Sequence, residues 1–195
     1  MMLRKLLASA ALVIAANAAS AATCQYGTEA DFTENADVWT STNCVGQISD
    51  PVNDSASAMN SYAGGNGVFD INNWSLNSRW EEDDGSYSPA GILSIVDNGD
   101  KTGSWMVDSW AGIGSAALVV KGGTGWAAYL LDMTAGLSGG WSVFALTNKG
   151  GQTPDISHIS LYTTPEMAPI PLPASGLLLV AGLGGFAAMR RRKKS

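Results

Sequence analysis

The chain is predicted to be all-β: a single β-sandwich or jelly-roll-like domain between an N-terminal signal peptide and a C-terminal transmembrane helix. Three observations carry this expectation. Short runs rich in β-branched and aromatic residues recur through the middle of the chain, each closed by Gly, Asn or Asp. No stretch of that middle holds a helical apolar repeat long enough to compete. Each end carries an uncharged apolar run beside basic residues. The expected divisions are residues 1–22 as signal peptide, 23–167 as exported domain and 168–195 as tail.

The first residues place Arg4 and Lys5 ahead of an apolar stretch from Leu6 to Ala16, followed by Ala18, Ala19, Ser20, Ala21 and Ala22. A positive head, a short apolar run and small residues at the end describe a secretory signal. Ser20 and Ala22 fit the small positions before a cut ahead of Thr23, and a cut after Ala21 is the close second. The apolar run is short for a bilayer, which takes about 20 residues of helix. Thr23 disfavours a lipid anchor on Cys24, because a small residue such as Gly or Ala is wanted there.

Two cysteines, Cys24 and Cys44, lie beyond the cleavage point. In an oxidising compartment such a pair usually bonds. Closing a loop of about 20 residues would contribute roughly 3 kcal/mol by loop entropy. A metal site is short of ligands, since His158 is the only histidine.

The expected strands are 67–71, 91–96, 104–107, 116–121, 124–131, 141–147 and 156–162. Between them stand Asn72-Asn73, Asp97-Asn98-Gly99-Asp100, Gly122-Gly123, Ser138-Gly139-Gly140 and Lys149-Gly150-Gly151. Spacing of this kind favours a sandwich or jelly roll. Asn98-Gly99 has the chemistry of a tight hairpin, and Lys121-Gly122-Gly123 would turn the next pair. Strand alternation puts Trp105 with Val107 on one face, and Trp126 with Ala128 and Leu130 on another. Core burial is the expectation for most of the seven tryptophans. Trp74 and Trp80, flanked by Asn, Ser, Arg and acidic residues, are the expected exposed pair and the candidate glycan-stacking residues.

Signals for catalysis are weak. Glu81-Glu82-Asp83-Asp84 could offer paired carboxylates for glycoside hydrolysis, but neighbours on a strand face opposite ways, and a solvated loop is favoured. His158 stands near Ser157 and Ser160 without a nucleophile elbow or an orienting third group. It shares a strand face with Ser160 and Tyr162, expected to be polar. Asp97, Asn98 and Asp100 form a weak Ca²⁺ candidate that lacks the spacing and terminal Glu of an EF-hand loop. A structural turn is favoured there. No phosphate loop, zinc spacing or cofactor signature occurs.

At the other end, residues 174–189 are uncharged and apolar, and Arg190, Arg191, Arg192, Lys193 and Lys194 follow at once. As helix this stretch would span roughly 24 Å at ~1.5 Å per residue, and extending it back through the prolines approaches a hydrocarbon core of about 30 Å. The basic cluster marks the cytoplasmic side, as Arg4 and Lys5 do at the other end, so the middle is expected outside. Ile170-Pro171-Leu172-Pro173-Ala174, the apolar helix and the basic terminus together resemble the PEP-CTERM type of sorting tail. The resemblance is to its Val-Pro-Leu-Pro-Ala (VPLPA) variant, with Ile170 replacing Val. It implies recognition by an exosortase-like membrane peptidase, an inner-membrane intermediate, and release or transfer to the cell surface or extracellular space. It also implies a Gram-negative source and a setting of biofilm or exopolysaccharide. The middle region more loosely resembles short exported proteins with such tails, through Gly103-Ser104-Trp105, 118–123 with Ala128-Tyr129-Leu130, and 157–162. That second likeness implies no established activity.

Outside the two ends only Arg79, Lys101, Lys121 and Lys149 oppose 17 acidic residues, a net charge near −13. So acidic a surface repels nucleic acid and anionic lipid. The functional expectation is therefore a non-enzymatic surface or matrix protein without a cofactor, sorted through its tail. The alternatives are a carbohydrate-binding module using exposed tryptophan and, further off, a secreted hydrolase.

Overall fold

The computed structural model describes residues 26–27 and 38–167. The expected signal peptide, Cys24, and the whole tail with Ile170, Pro171, Leu172, Pro173 and Ala174 lie outside the described residues. The chain divides into two compact units, Met1–Pro165 and Glu166–Ser195, and only Glu166 and Met167 of the second are described. Among the described residues no helix is long and apolar enough to cross a membrane.

The elements of the first unit are β1 (Tyr26–Gly27), β2 (Val38–Trp39), β3 (Ser41–Ile48), α1 (Ala56–Gly65), a 3-10 turn (Val68–Asp70), β4 (Ser75–Glu81) and β5 (Leu93–Asp97). They continue with β6 (Thr102–Val107), β7 (Ile113–Gly122), β8 (Gly125–Leu131), β9 (Ser138–Ser142) and β10 (Ile156–Pro165). Two sheets result, in the orders β1-β2-β9-β6-β5 and β3-β8-β7-β10-β4. Every pairing is antiparallel except the short parallel contact of β1 with β2. The all-β class holds, in a sandwich-like arrangement of two sheets.

Alternation along the strands builds the main core between the sheets. Val38, Leu93, Trp105 and Trp141 come from the first sheet; Leu118, Val120, Tyr129, Ile159 and Leu161 come from the second. A second core lies on the far side of the second sheet, where Val119, Trp126, Ala128 and Tyr162 meet Met59 of α1, Val68 and Trp74. Both faces of β7, β8 and β10 are thus covered, which is why Ala116 to Val120 reads as an unbroken apolar run. Trp105 and Trp126 lie in the core as their alternation predicts.

Four local expectations are corrected. Residues 67–71 form no strand but the 3-10 turn Val68–Asp70, with Phe69 and Asp70 at positive φ. Helix α1 was not expected; Ser55 caps it by accepting from the Ala58 amide at 3.0 Å, and it loses helical geometry at Tyr62 and Ala63. What remains regular is too short to carry a legible period. Strands β3 and β4 also went unread, because Ser, Thr, Asn and Gln occupy much of them. Finally, Ser138-Gly139-Gly140 is not a turn but the start of strand β9, which ends at Ser142, so the expected strand 141–147 is displaced toward the N-terminus and residues 143–147 form none. The glycines of β9 make room for indoles: a Cβ on Gly140 would stand 2.6 Å from Trp39 Cδ2, and one on Gly139 2.8 Å from Trp105 Cε2.

The β7–β8 hairpin closes as expected, with Gly122 paired to Gly125 and Gly123 at φ +56°. The β5–β6 hairpin is longer than a tight turn. Asp97 pairs with Gly103, the Asn98 amide donates to the Thr102 carbonyl at 3.0 Å, and the positive φ angles fall on Gly99 and Lys101.

Candidate functional site

Two places gather functional chemistry. The first is a buried polar cluster. The register of β10 against β4 sets His158 opposite Glu81 and Ser160 opposite Arg79, and Tyr162 follows on the same face of β10. Asp54, immediately before the cap of α1, drops onto that face. Its Oδ2 accepts from Arg79 Nη2 at 2.8 Å and from the Tyr162 hydroxyl at 2.8 Å, while Oδ1 lies 2.5 Å from His158 Nε2. Arg79 Nε donates to Ser160 Oγ at 2.9 Å, and His158 Nδ1 stands 3.7 Å from Glu81 Oε2.

The Asp54 side chain is fully enclosed, and that of Arg79 is 21% exposed. Burial alone would push the Asp54 carboxyl up. The hydrogen bond from His158, the charges of His158 and Arg79 and the Tyr162 hydroxyl outweigh it, holding Asp54 well below the usual carboxylate range. The Tyr162 phenol is pushed far up by burial and by the adjacent Asp54 charge. Both Asp54 oxygens are engaged, and the Ser160 hydroxyl is turned to Arg79 rather than to the histidine ring. The arrangement ties the loop before α1 to two strands. The face expected to be polar is polar, but it is enclosed rather than solvated.

The second place is a groove of about 470 Å³ on the first sheet, lined by residues of β2, β5, β6, β9 and the 135–136 loop. On the outward face of β5, β6 and β9 the register makes two cross-strand rows. Ser94, Met106 and Ser138 form one; Val96, Ser104 and Gly140 form the other. Trp39 covers the Gly140 end of the second row and is half-buried. Thr40 beside it donates through Oγ1 to the Ser138 carbonyl at 3.1 Å. Among the described residues no charged side chain lines this groove.

The candidate stacking pair is overturned. Trp74 is 2% and Trp80 6% exposed. Trp74 is buried in the second core, with its indole N–H on the Val68 carbonyl at 3.0 Å and its backbone held by Asn60. Trp80 packs between the sheets, 6.4 Å from Trp141 centroid to centroid. Their polar neighbours misled because alternation sends them to other faces, and Arg79 in particular is consumed by Asp54 and Ser160. Trp39, half-buried, sits instead in the groove; the glycine pair Gly139-Gly140 is the sequence signal, legible as a turn.

Asp97, Asn98 and Asp100 serve their hairpin. Asp97 Oδ1 accepts from the Gly99 amide at 2.8 Å, and Asp100 Oδ1 accepts from the Thr102 hydroxyl at 2.5 Å. Among the described residues no three His, Cys, Asp or Glu side chains converge on a metal position. Glu81 to Asp84 run into a turn closed by Gly85 N–H on the Glu81 carbonyl at 3.0 Å, with Glu82, Asp83 and Asp84 exposed. Cys44 is half-buried on β3, and no free cysteine occurs among the described residues. Compared with models of protein families, with characterised proteins and with solved structures, the chain matches none.

Proposed function

We propose that the chain is an exported, non-enzymatic surface or matrix protein: a β-sandwich domain delivered by a C-terminal sorting tail and closed near its N-terminus by a Cys24–Cys44 bridge. The observation that carries the proposal is the order of parts in the tail, Ile170-Pro171-Leu172-Pro173-Ala174, then the apolar 174–189 run, then five consecutive basic residues. An exosortase-like peptidase is the processing partner, with an inner-membrane intermediate before the cell surface or the extracellular space.

The domain supports a binding or structural role over a reaction. Its histidine and its most enclosed carboxylate are spent on each other, and of the acid run Glu82 lines a small cavity of about 220 Å³ beside Asp97, Lys101 and Asp155. A second reading, carbohydrate binding at the surface, is favoured by the groove beside Trp39, whose described lining carries no charge. The sorting claim is tested by fractionating host cells that express the protein with and without Pro171→Ala and Pro173→Ala. Accumulation of the doubly substituted chain in the inner membrane supports it. Identical distribution of both forms refutes it.

A further inference from the structure

We propose that the groove on the first sheet is a binding site for a neutral saccharide. The inference rests on the reading of the exported domain as a non-enzymatic surface protein, to which it assigns a ligand.

The lining has the two chemistries that a sugar ring presents. Trp39 supplies an aromatic plate, held against the glycine backbone of β9 because Gly140 has no Cβ to keep the ring away. The C–H face of a pyranose stacks on such a plate, and aromatic walls with a few placed polar groups are the usual make-up of a small-ligand site. On the same outward face of the sheet stand three serines. Ser94 and Ser138 flank Met106 in one row, and Ser104 lies in the next row between Val96 and Gly140. All three serines are exposed. Adjacent strands lie about 4.8 Å apart, so Ser94 and Ser138, two strands apart, stand about 10 Å from each other with Ser104 about 8 Å from each, a spacing that suits neighbouring rings of an oligosaccharide rather than one ring. Each can donate and accept, as sugar hydroxyls do. Val96 and Met106 are 59% and 52% exposed and supply apolar contact between them. The volume of about 470 Å³ falls within the range of small-ligand sites.

Charge selects among ligands. Among the described residues no charged side chain lines the groove, and the chain outside its two ends carries four basic residues against 17 acidic ones. An anionic polysaccharide meets that field without a cation to pair with, and a second copy of the chain brings the same negative charge to the contact. A neutral polyol meets neither obstacle.

The test uses the mature protein recovered from its host. Neutral gluco-, manno- and galacto-oligosaccharides are titrated beside uronic-acid oligosaccharides, followed by tryptophan fluorescence and calorimetry. At least one neutral oligosaccharide is expected to bind with Kd of about 1 mM or tighter. Trp39→Ala and Ser104→Glu should each weaken it by about tenfold or more. Ser104→Glu changes an exposed side chain, so its melting temperature reports whether the fold is intact. Silence of every neutral oligosaccharide, preference for the uronates, or undiminished binding in both variants overturns the site. A dimer that Ser104→Glu dissociates, with no saccharide bound, overturns it too and gives the face to a second copy. Failure of the site leaves the protein's extracellular location unchanged. Release of new reducing ends from a bound saccharide would instead refute the non-enzymatic reading while the site stands.

Discussion

Removing the Asp54 carboxylate should be among the most damaging single changes to this domain outside its hydrophobic cores. Three groups converge on it: Arg79 and Tyr162 at 2.8 Å each and His158 at 2.5 Å. They belong to β4 and β10, whereas Asp54 belongs to the loop that leads into α1. Asp54→Ala therefore removes one tie between the α1 segment and the sheet, which Met59 and Asn60 still hold, and leaves polar groups enclosed without their acceptor. Breaking a buried charge pair by deleting one partner costs about 3–5 kcal/mol. Arg79 retains 21% exposure, so water recovers part of that loss, and the lower end, about 3–4 kcal/mol, is the expectation. Against a domain stability of about 5–15 kcal/mol this is a large fraction. It corresponds to a fall in melting temperature of roughly 10–15 °C for a domain of this size. Asp54→Asn keeps the shape and one acceptor and should lose about half as much.

The effect also has a pH signature. The Asp54 carboxyl is held below its ordinary value in the folded state. Its contribution is therefore complete above the unfolded value of about 3.9 and is lost as pH falls toward the lower folded value. The gap between wild type and Asp54→Asn should be widest at neutral pH and close progressively below about pH 5. Urea unfolding of the purified mature protein at several pH values, with Arg79→Ala completing a double-mutant cycle, measures both. A loss below about 1 kcal/mol for Asp54→Ala at neutral pH, or no coupling to Arg79, would refute the reasoning.

Further outcomes follow from other parts of the fold. Cys44→Ser should cost about 3 kcal/mol by the loop-entropy estimate; two free thiols found by mass under non-reducing conditions would remove the bridge from the proposal. Gly140→Ala drives a Cβ to 2.6 Å from Trp39 Cδ2. It should destabilise by about 1–3 kcal/mol and change the fluorescence assigned to Trp39 by comparison with Trp39→Phe. Trp80→Ala should lose about 3–5 kcal/mol, whereas Trp80→Phe should leave acrylamide quenching almost unchanged, because Trp80 is 6% exposed and contributes little to it. Strong loss of quenching in Trp80→Phe would contradict its burial.

The sequence was most legible where side chains repeat with the period of a strand and one face is apolar. Strand β6 announces itself this way, β7 and β8 do so by apolar runs that burial on both faces allows, and the Gly123 turn follows from its need for positive φ. Legibility failed where polarity and burial part company. Strand β4 carries Ser, Asn, Arg and Glu and still buries Trp80, because the partner of Arg79 is Asp54, 25 residues away in sequence. No local pattern reveals such a partner. The Asp54 cluster was half visible: alternation grouped His158, Ser160 and Tyr162, and only the tertiary fold brought a carboxylate to them. The groove was hidden for a different reason. Consecutive glycines in β9 read as a turn, although they are there because indole rings lie against them.

The claim that joins the domain to its proposed role is export followed by processing at the tail, and the intact mass of the protein isolated from its native host tests it most directly. A mature chain lacking both the first 22 residues and the Arg190 to Lys194 terminus, found outside the inner membrane, is the expected result. A chain that keeps both ends and stays in the cytoplasm would contradict it.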